Sequence, residues 1–139
     1  MNQIALEKFL GNWALDVATC DYEQGDPPKF EYHHLWLDGD ELIIDMNRTD
    51  SGGEVHNLSF RTKVDGTRQP FDAGPLADEI SASLTKDNEL CVSAYRTGQE
   101  LMFAERCVSD DGQAMDVYQQ VNLPDGTSPS NQATFRRAQ

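Results

Sequence analysis

Seven turn signals at short intervals constrain this chain most: Asp38-Gly39, Ser51-Gly52-Gly53, Asp65-Gly66, Asp87-Asn88, Thr97-Gly98, Asp111-Gly112 and Asp125-Gly126. Each is built from residues that tolerate positive φ, so each can reverse the backbone tightly. The runs between them alternate apolar and polar side chains with the period of two that marks a half-buried strand. Strands are predicted at about 12–20, 30–37, 41–48, 55–64, 67–71, 78–85, 89–96, 99–108, 113–121 and 131–137. Sequential short strands joined by tight turns pair with their neighbours, and so many of them expose edges unless the sheet closes on itself. The expected fold is all-β, an antiparallel up-and-down barrel of about eight to ten strands forming a single domain over residues 1–139. One short helix precedes it: Asn2 is an N-cap, Ile4, Ala5, Leu6, Phe9 and Leu10 supply apolar positions, and Gly11 is a stop.

Alternation assigns the inner face. Leu42, Ile44 and Met46 point inward, as do His56, Leu58, Phe60, Thr62 and Val64, then Ile80, Ala82 and Leu84, then Leu90, Val92 and Ala94. The same rule selects Leu101, Phe103, Glu105 and Cys107, then Met115, Val117 and Val121. Phe30–Leu37 reads both ways. A three-residue turn at Asp38, Gly39 and Asp40 sets Trp36 opposite Leu42 and turns Phe30, Tyr32, His34 and Trp36 inward, whereas a two-residue turn is expected to set Leu35 opposite Leu42. The aromatic face is the one expected inside. The longest loops, Cys20 to Lys29 and Leu123 to Ser130, fall where lids over a barrel mouth would lie.

The formal net charge of -13 repels phosphate backbones and anionic lipid, so neither nucleic acid nor membrane is an expected partner. No stretch approaches the roughly 20 apolar residues of a membrane span, and Met1 to Gly11 lacks the basic and apolar regions of a signal peptide. A cytoplasmic location is expected for the chain as it stands, a secreted or periplasmic one if a leader has been removed. Cys20, Cys91 and Cys107 have no Cys-x-x-Cys spacing and read as free, mostly buried thiols.

Residues able to do chemistry are sparse. His33 and His34 are adjacent and point to opposite faces of a strand, so they cannot share an ion, and a third ligand for His34 and His56 is not evident. No metal or other cofactor is expected. There is no Gly-x-Ser-x-Gly nucleophile motif, and most carboxylates lie in turns. Glu105 is the exception, a carboxylate on the face assigned to the interior that needs a partner or solvent. The aromatic residues Tyr32, Trp36, Phe60, Phe71, Phe103 and Tyr118 are spread over several strands, as in a barrel that either fills with side chains or holds one small ligand.

Phe9-Leu10-Gly11-Asn12-Trp13 followed by a strand resembles the Gly-x-Trp opening of the calycin superfamily, the lipocalins and fatty-acid-binding proteins. Further segments resemble a bacterial lipocalin-like family of uncharacterised function: Lys63-Val64-Asp65-Gly66-Thr67-Arg68-Gln69-Pro70-Phe71, through Gly74-Pro75 to Asp78-Glu79-Ile80-Ser81, then Val108-Ser109-Asp110-Asp111-Gly112 and Thr134-Phe135-Arg136-Arg137. The resemblance implies a barrel around a central cavity, the helix plugging one end and Trp13 packed beneath Arg137 or Arg136 as a cation–π pair. Fatty-acid-binding proteins hold a ligand carboxylate with interior arginine; of Arg61, Arg106 and Arg136 here, alternation puts the first two outside. The expected function is binding of a small apolar molecule by Tyr32, His34, Trp36, Phe60 and Phe103, with Glu105 as polar handle. Two alternatives stand beside it: an isomerase or lyase using Glu105 or His34 as acid or base, and a filled barrel serving structure or interaction. Oligomeric state is left open.

Overall fold

The computed structural model describes residues 6–71 and 77–138. Ten strands follow one another: β1 (Gly11–Tyr22), β2 (Phe30–Asp38), β3 (Glu41–Thr49), β4 (Val55–Lys63), β5 (Gln69–Pro70), β6 (Glu79–Lys86), β7 (Glu89–Arg96), β8 (Gln99–Val108), β9 (Ala114–Val121) and β10 (Ser130–Ala138). All pairings are antiparallel. Each strand pairs with the next from β1 to β4 and from β5 to β10, and β10 pairs with β1, which wraps the sheet into a nearly closed barrel. The ladder is interrupted between β4 and β5. Side chains bridge that seam: Lys63 N–H donates to Gln69 Oε1 at 3.2 Å, and the rings of Phe60 and Phe71 meet edge to face at 5.8 Å.

The described part of the expected helix is a single 3-10 turn, Glu7–Phe9; Asn2, Ile4 and Ala5 lie outside the described residues, as do Gly74 and Pro75. Leu6 and Phe9 are fully buried and plug the end of the barrel from which β1 starts. Trp13 donates its Nε1–H to the carbonyl of Phe9 at 2.9 Å, and the Arg137 guanidinium lies over its ring, 4.0 Å from the centroid. Arg137 also donates to the carbonyls of Gly112 and Lys8, each at 3.0 Å, and to that of Leu10. Gly11 is required by this arrangement. Its φ is +115°, and a Cβ there would sit 2.8 Å from Arg137 Nη1.

Two local features set which side chains enter the barrel. Gly39 and Asp40 form a two-residue turn, so Asp38 pairs with Glu41, and it is Leu37, not the expected Leu35, that lies opposite Leu42, with Leu35 opposite Ile44. That turns the leucine face of β2 inward and leaves Phe30, Tyr32 and Trp36 on the outside, the reverse of the expected phase. The second feature is a bulge in the β7–β8 hairpin. Thr97 and Gly98, both at positive φ, make a tight turn that pairs Arg96 with Gln99 and Tyr95 with Glu100, but Ala94 then pairs with Met102. Leu101 is the extra residue, and beyond it the whole strand changes phase. Met102, Ala104, Arg106 and Val108 point inward; Phe103, Glu105 and Cys107, expected inside, point out.

The plugged half of the barrel is packed by Leu6, Phe9, Trp13, Leu35, Leu42, Ile44, Val64, Leu90, Val108, Met115 and Phe135. No helix among the described residues is long and apolar enough to cross a membrane. The three cysteines are free and half-buried, more exposed than expected.

Candidate functional site

Above the packed half the barrel is hollow. A cavity of about 350 Å³ opens between the β1–β2, β3–β4 and β9–β10 loops, within the range of small-molecule sites. One wall is apolar: Phe60 and Phe71 at the seam, then Ile80, Val92, Ala94, Met102 and Ala104 on β6, β7 and β8. The facing wall carries Tyr22, Glu31, Arg48, Gln119, Asn131 and Gln132, so polar groups concentrate on the strands around β1.

The floor holds the least expected group. Arg106, on β8, is only 3% exposed and extends across the lumen until its Nη2 lies 3.9 Å from the Met46 sulfur on β3. A thioether is a weak acceptor. The guanidinium Nε and Nη1 have no hydrogen-bond partner among the described residues. Burial pushes its pKa down to about 10, partly offset by the Glu31 carboxylate, and the side chain remains a cation at neutral pH. Each buried donor left unmet costs about 1–3 kcal/mol, so this arrangement stabilises nothing in the fold by itself.

His33 shares the floor. It is 3% exposed, its ring lies 4.3 Å from that of Phe135, and its Nε2 is 2.7 Å from Glu31 Oε2. Burial lowers its pKa, the Glu31 hydrogen bond raises it, and the charge of Arg106 lowers it again; the net direction is downward. Nδ1 has no partner among the described residues. Nearer the mouth, burial and the neighbouring Cys20 and Glu31 push the Tyr22 hydroxyl well above its usual value.

The residues expected to bind ligand are divided by the two phase changes. Phe60 lines the cavity. Tyr32 is 49% and Trp36 38% exposed on the outer surface of β2, where Trp36 Nε1 donates to Asp45 and stacks with exposed His34. Phe103 packs outside against Tyr118 at 5.9 Å, and Glu105 borders a surface groove with Thr19, Asp21, Asp116 and Thr134. The carboxylate and the histidine assigned to an enzyme reading thus both lie outside the lumen. Arg61 is outside as expected, paired with Asp38 and Glu41 at 3.1 Å. Arg106 is the correction, since the bulge at Leu101 brings it in. At the rim, Asp50, Glu54 and His56 gather ligand atoms within 4.8 Å, but Asp50 already accepts from Gly52 N, Glu54 N and the His56 ring.

No family model and no curated protein matches the chain. Solved structures do. The zebrafish ileal bile acid-binding protein in complex with cholic acid superposes with a TM-score of 0.63 at 12% identity, over 94% of this chain and 99% of that one. A fatty acid binding protein of Schistosoma mansoni in complex with arachidonic acid gives 0.63 at 14% identity, over 97% and 99%. The fold is that of a calycin-like barrel. A protein of unknown function from the DUF3598 family of Nostoc punctiforme also matches, with a TM-score of 0.62 at 14% identity over 96% of this chain and 48% of that one. At such identities the likeness to a calycin-like barrel is one of fold.

Proposed function

We propose that the hollow half binds a small amphipathic molecule, its acidic head against Arg106 and its apolar body along the wall from Phe60 to Met102. The observation that carries this reading is the buried guanidinium of Arg106, whose Nε and Nη1 have no hydrogen-bond partner among the described residues, at the floor of a cavity with one apolar wall. An anionic head would supply the missing acceptors through charge-assisted hydrogen bonds, which are stronger than neutral ones. Two of the superposing proteins were solved with carboxylic acids, cholic and arachidonic, which agrees with the reading. A filled structural barrel does not agree with a cavity of about 350 Å³.

Titration with decanoic acid and with decan-1-ol at pH 8 tests it. The acid binds and the alcohol binds at least about tenfold more weakly, the worth of one hydrogen bond to a buried charge. Equal affinity for both, or no binding of either, overturns the reading. Native mass spectrometry of freshly purified protein, followed by organic extraction, then identifies the acid retained from the cell.

A further inference from the structure

The floor of the cavity offers more than positive charge. Glu31 Oε2 lies 2.7 Å from His33 Nε2, and an ionised carboxylate can only accept, so the proton of the neutral imidazole is assigned to Nε2. Nδ1 then keeps a bare lone pair. Protonating it as well would place a second cation beside Arg106 in a buried position, which the fold disfavours. The floor therefore presents two kinds of unmet group: donors at Arg106 Nε and Nη1, and an acceptor at His33 Nδ1. A plain carboxylate satisfies the first kind only, leaving the lone pair of Nδ1 buried and unmet.

Resting on the reading of the cavity as an acid site, we propose that its ligand is a carboxylic acid with a hydrogen-bond donor next to the carboxylate. A 2-hydroxy acid and an N-acyl amino acid share that chemistry. The carboxylate lies against Arg106, and the adjacent O–H or N–H donates to His33 Nδ1. Arg106 selects for charge and His33 for the neighbouring donor, with Glu31 as the positioning residue that fixes the tautomer.

Affinities for decanoic acid, 2-hydroxydecanoic acid and N-octanoylglycine test the proposal, measured on the wild type and on His33→Phe. One of the two donor-bearing acids binds the wild type about tenfold tighter than decanoic acid, and His33→Phe removes the preference. The identity of that acid distinguishes the two sources. Long-range ¹H–¹⁵N NMR gives a second readout that needs no variant: Nδ1 of His33 is pyridine-like in the free protein and shifts on binding a donor-bearing acid but not on binding decanoic acid. If decanoic acid binds as tightly as both others while depending on Arg106, this proposal is overturned and the acid site stands. Binding of none of the three acids removes the acid site itself.

Discussion

The two halves of this barrel are made by the same strands and differ in what those strands point inward. Around Trp13 the lumen is filled, the indole N–H reaches the Phe9 carbonyl, and Arg137 donates to three carbonyls while covering the indole ring. One layer further along, Arg106 reaches across the same lumen and finds a thioether. One arginine finishes a core and the other leaves one unfinished. A buried cation that costs stability and closes no structural network is what the proposed acid site requires, and the contrast with Arg137 is the ground for that proposal.

The largest effect that would break this contrast is expected in the packed half. Trp13→Ala lowers stability in urea unfolding by about 3–5 kcal/mol, as for other large buried aromatics, whereas Leu58→Ala at the half-exposed cavity rim costs under about 1 kcal/mol. Comparable losses would mean that the rim is as tightly packed as the floor. A more pointed comparison adds volume. Val108→Phe overpacks the filled half and costs about 1–3 kcal/mol, while Ala94→Phe grows into the cavity, changes stability by less than about 1 kcal/mol and abolishes decanoic acid binding. Equal destabilisation by both would contradict a hollow upper half.

A smaller effect separates the floor from its surroundings by pH. The unfolded chain protonates His33 near 6.5, but the folded protein does so only at lower pH because burial and Arg106 hold the pKa down. Between those values the unfolded state binds more protons, so stability present above about pH 6.5 is lost as pH falls through the window and levels off below the folded pKa. The unfolding midpoint of the wild type therefore drops between pH 7.5 and 5 relative to that of His33→Phe. Parallel curves for the two proteins would show that His33 is not held neutral.

Most of the barrel was legible in the sequence and most of its floor was not, for one physical reason. The ten described strands follow from turn chemistry and alternation, while the pairing of Trp13 with Arg137 or Arg136 is implied only by the resemblance to lipocalins, and it is Arg137 that covers the ring. Which face of a strand enters the lumen depends on single-residue events that alternation cannot see. In β2 the choice between two and three turn residues at Asp38, Gly39 and Asp40 decided whether Trp36 or Leu35 went inside. In β8 the two phases are nearly degenerate: Leu101, Phe103 and Cys107 with Glu105, or Met102, Ala104 and Val108 with Arg106. An unbulged hairpin at Thr97-Gly98 selects the first, and the bulge at Leu101 selects the second. That one residue exchanges a carboxylate for a guanidinium at the floor, and with it the charge of the expected ligand.

Calorimetric titration of Arg106→Met with decanoic acid, alongside its unfolding curve, tests the central claim most directly. Replacing a buried cation whose Nε and Nη1 are unmet among the described residues with an apolar chain of similar length leaves stability unchanged or raises it by about 1–4 kcal/mol, while binding of the acid is lost. Decanoic acid bound by Arg106→Met as tightly as by the wild type, or a variant markedly less stable than the wild type, would contradict the assignment of this arginine to a ligand rather than to the fold.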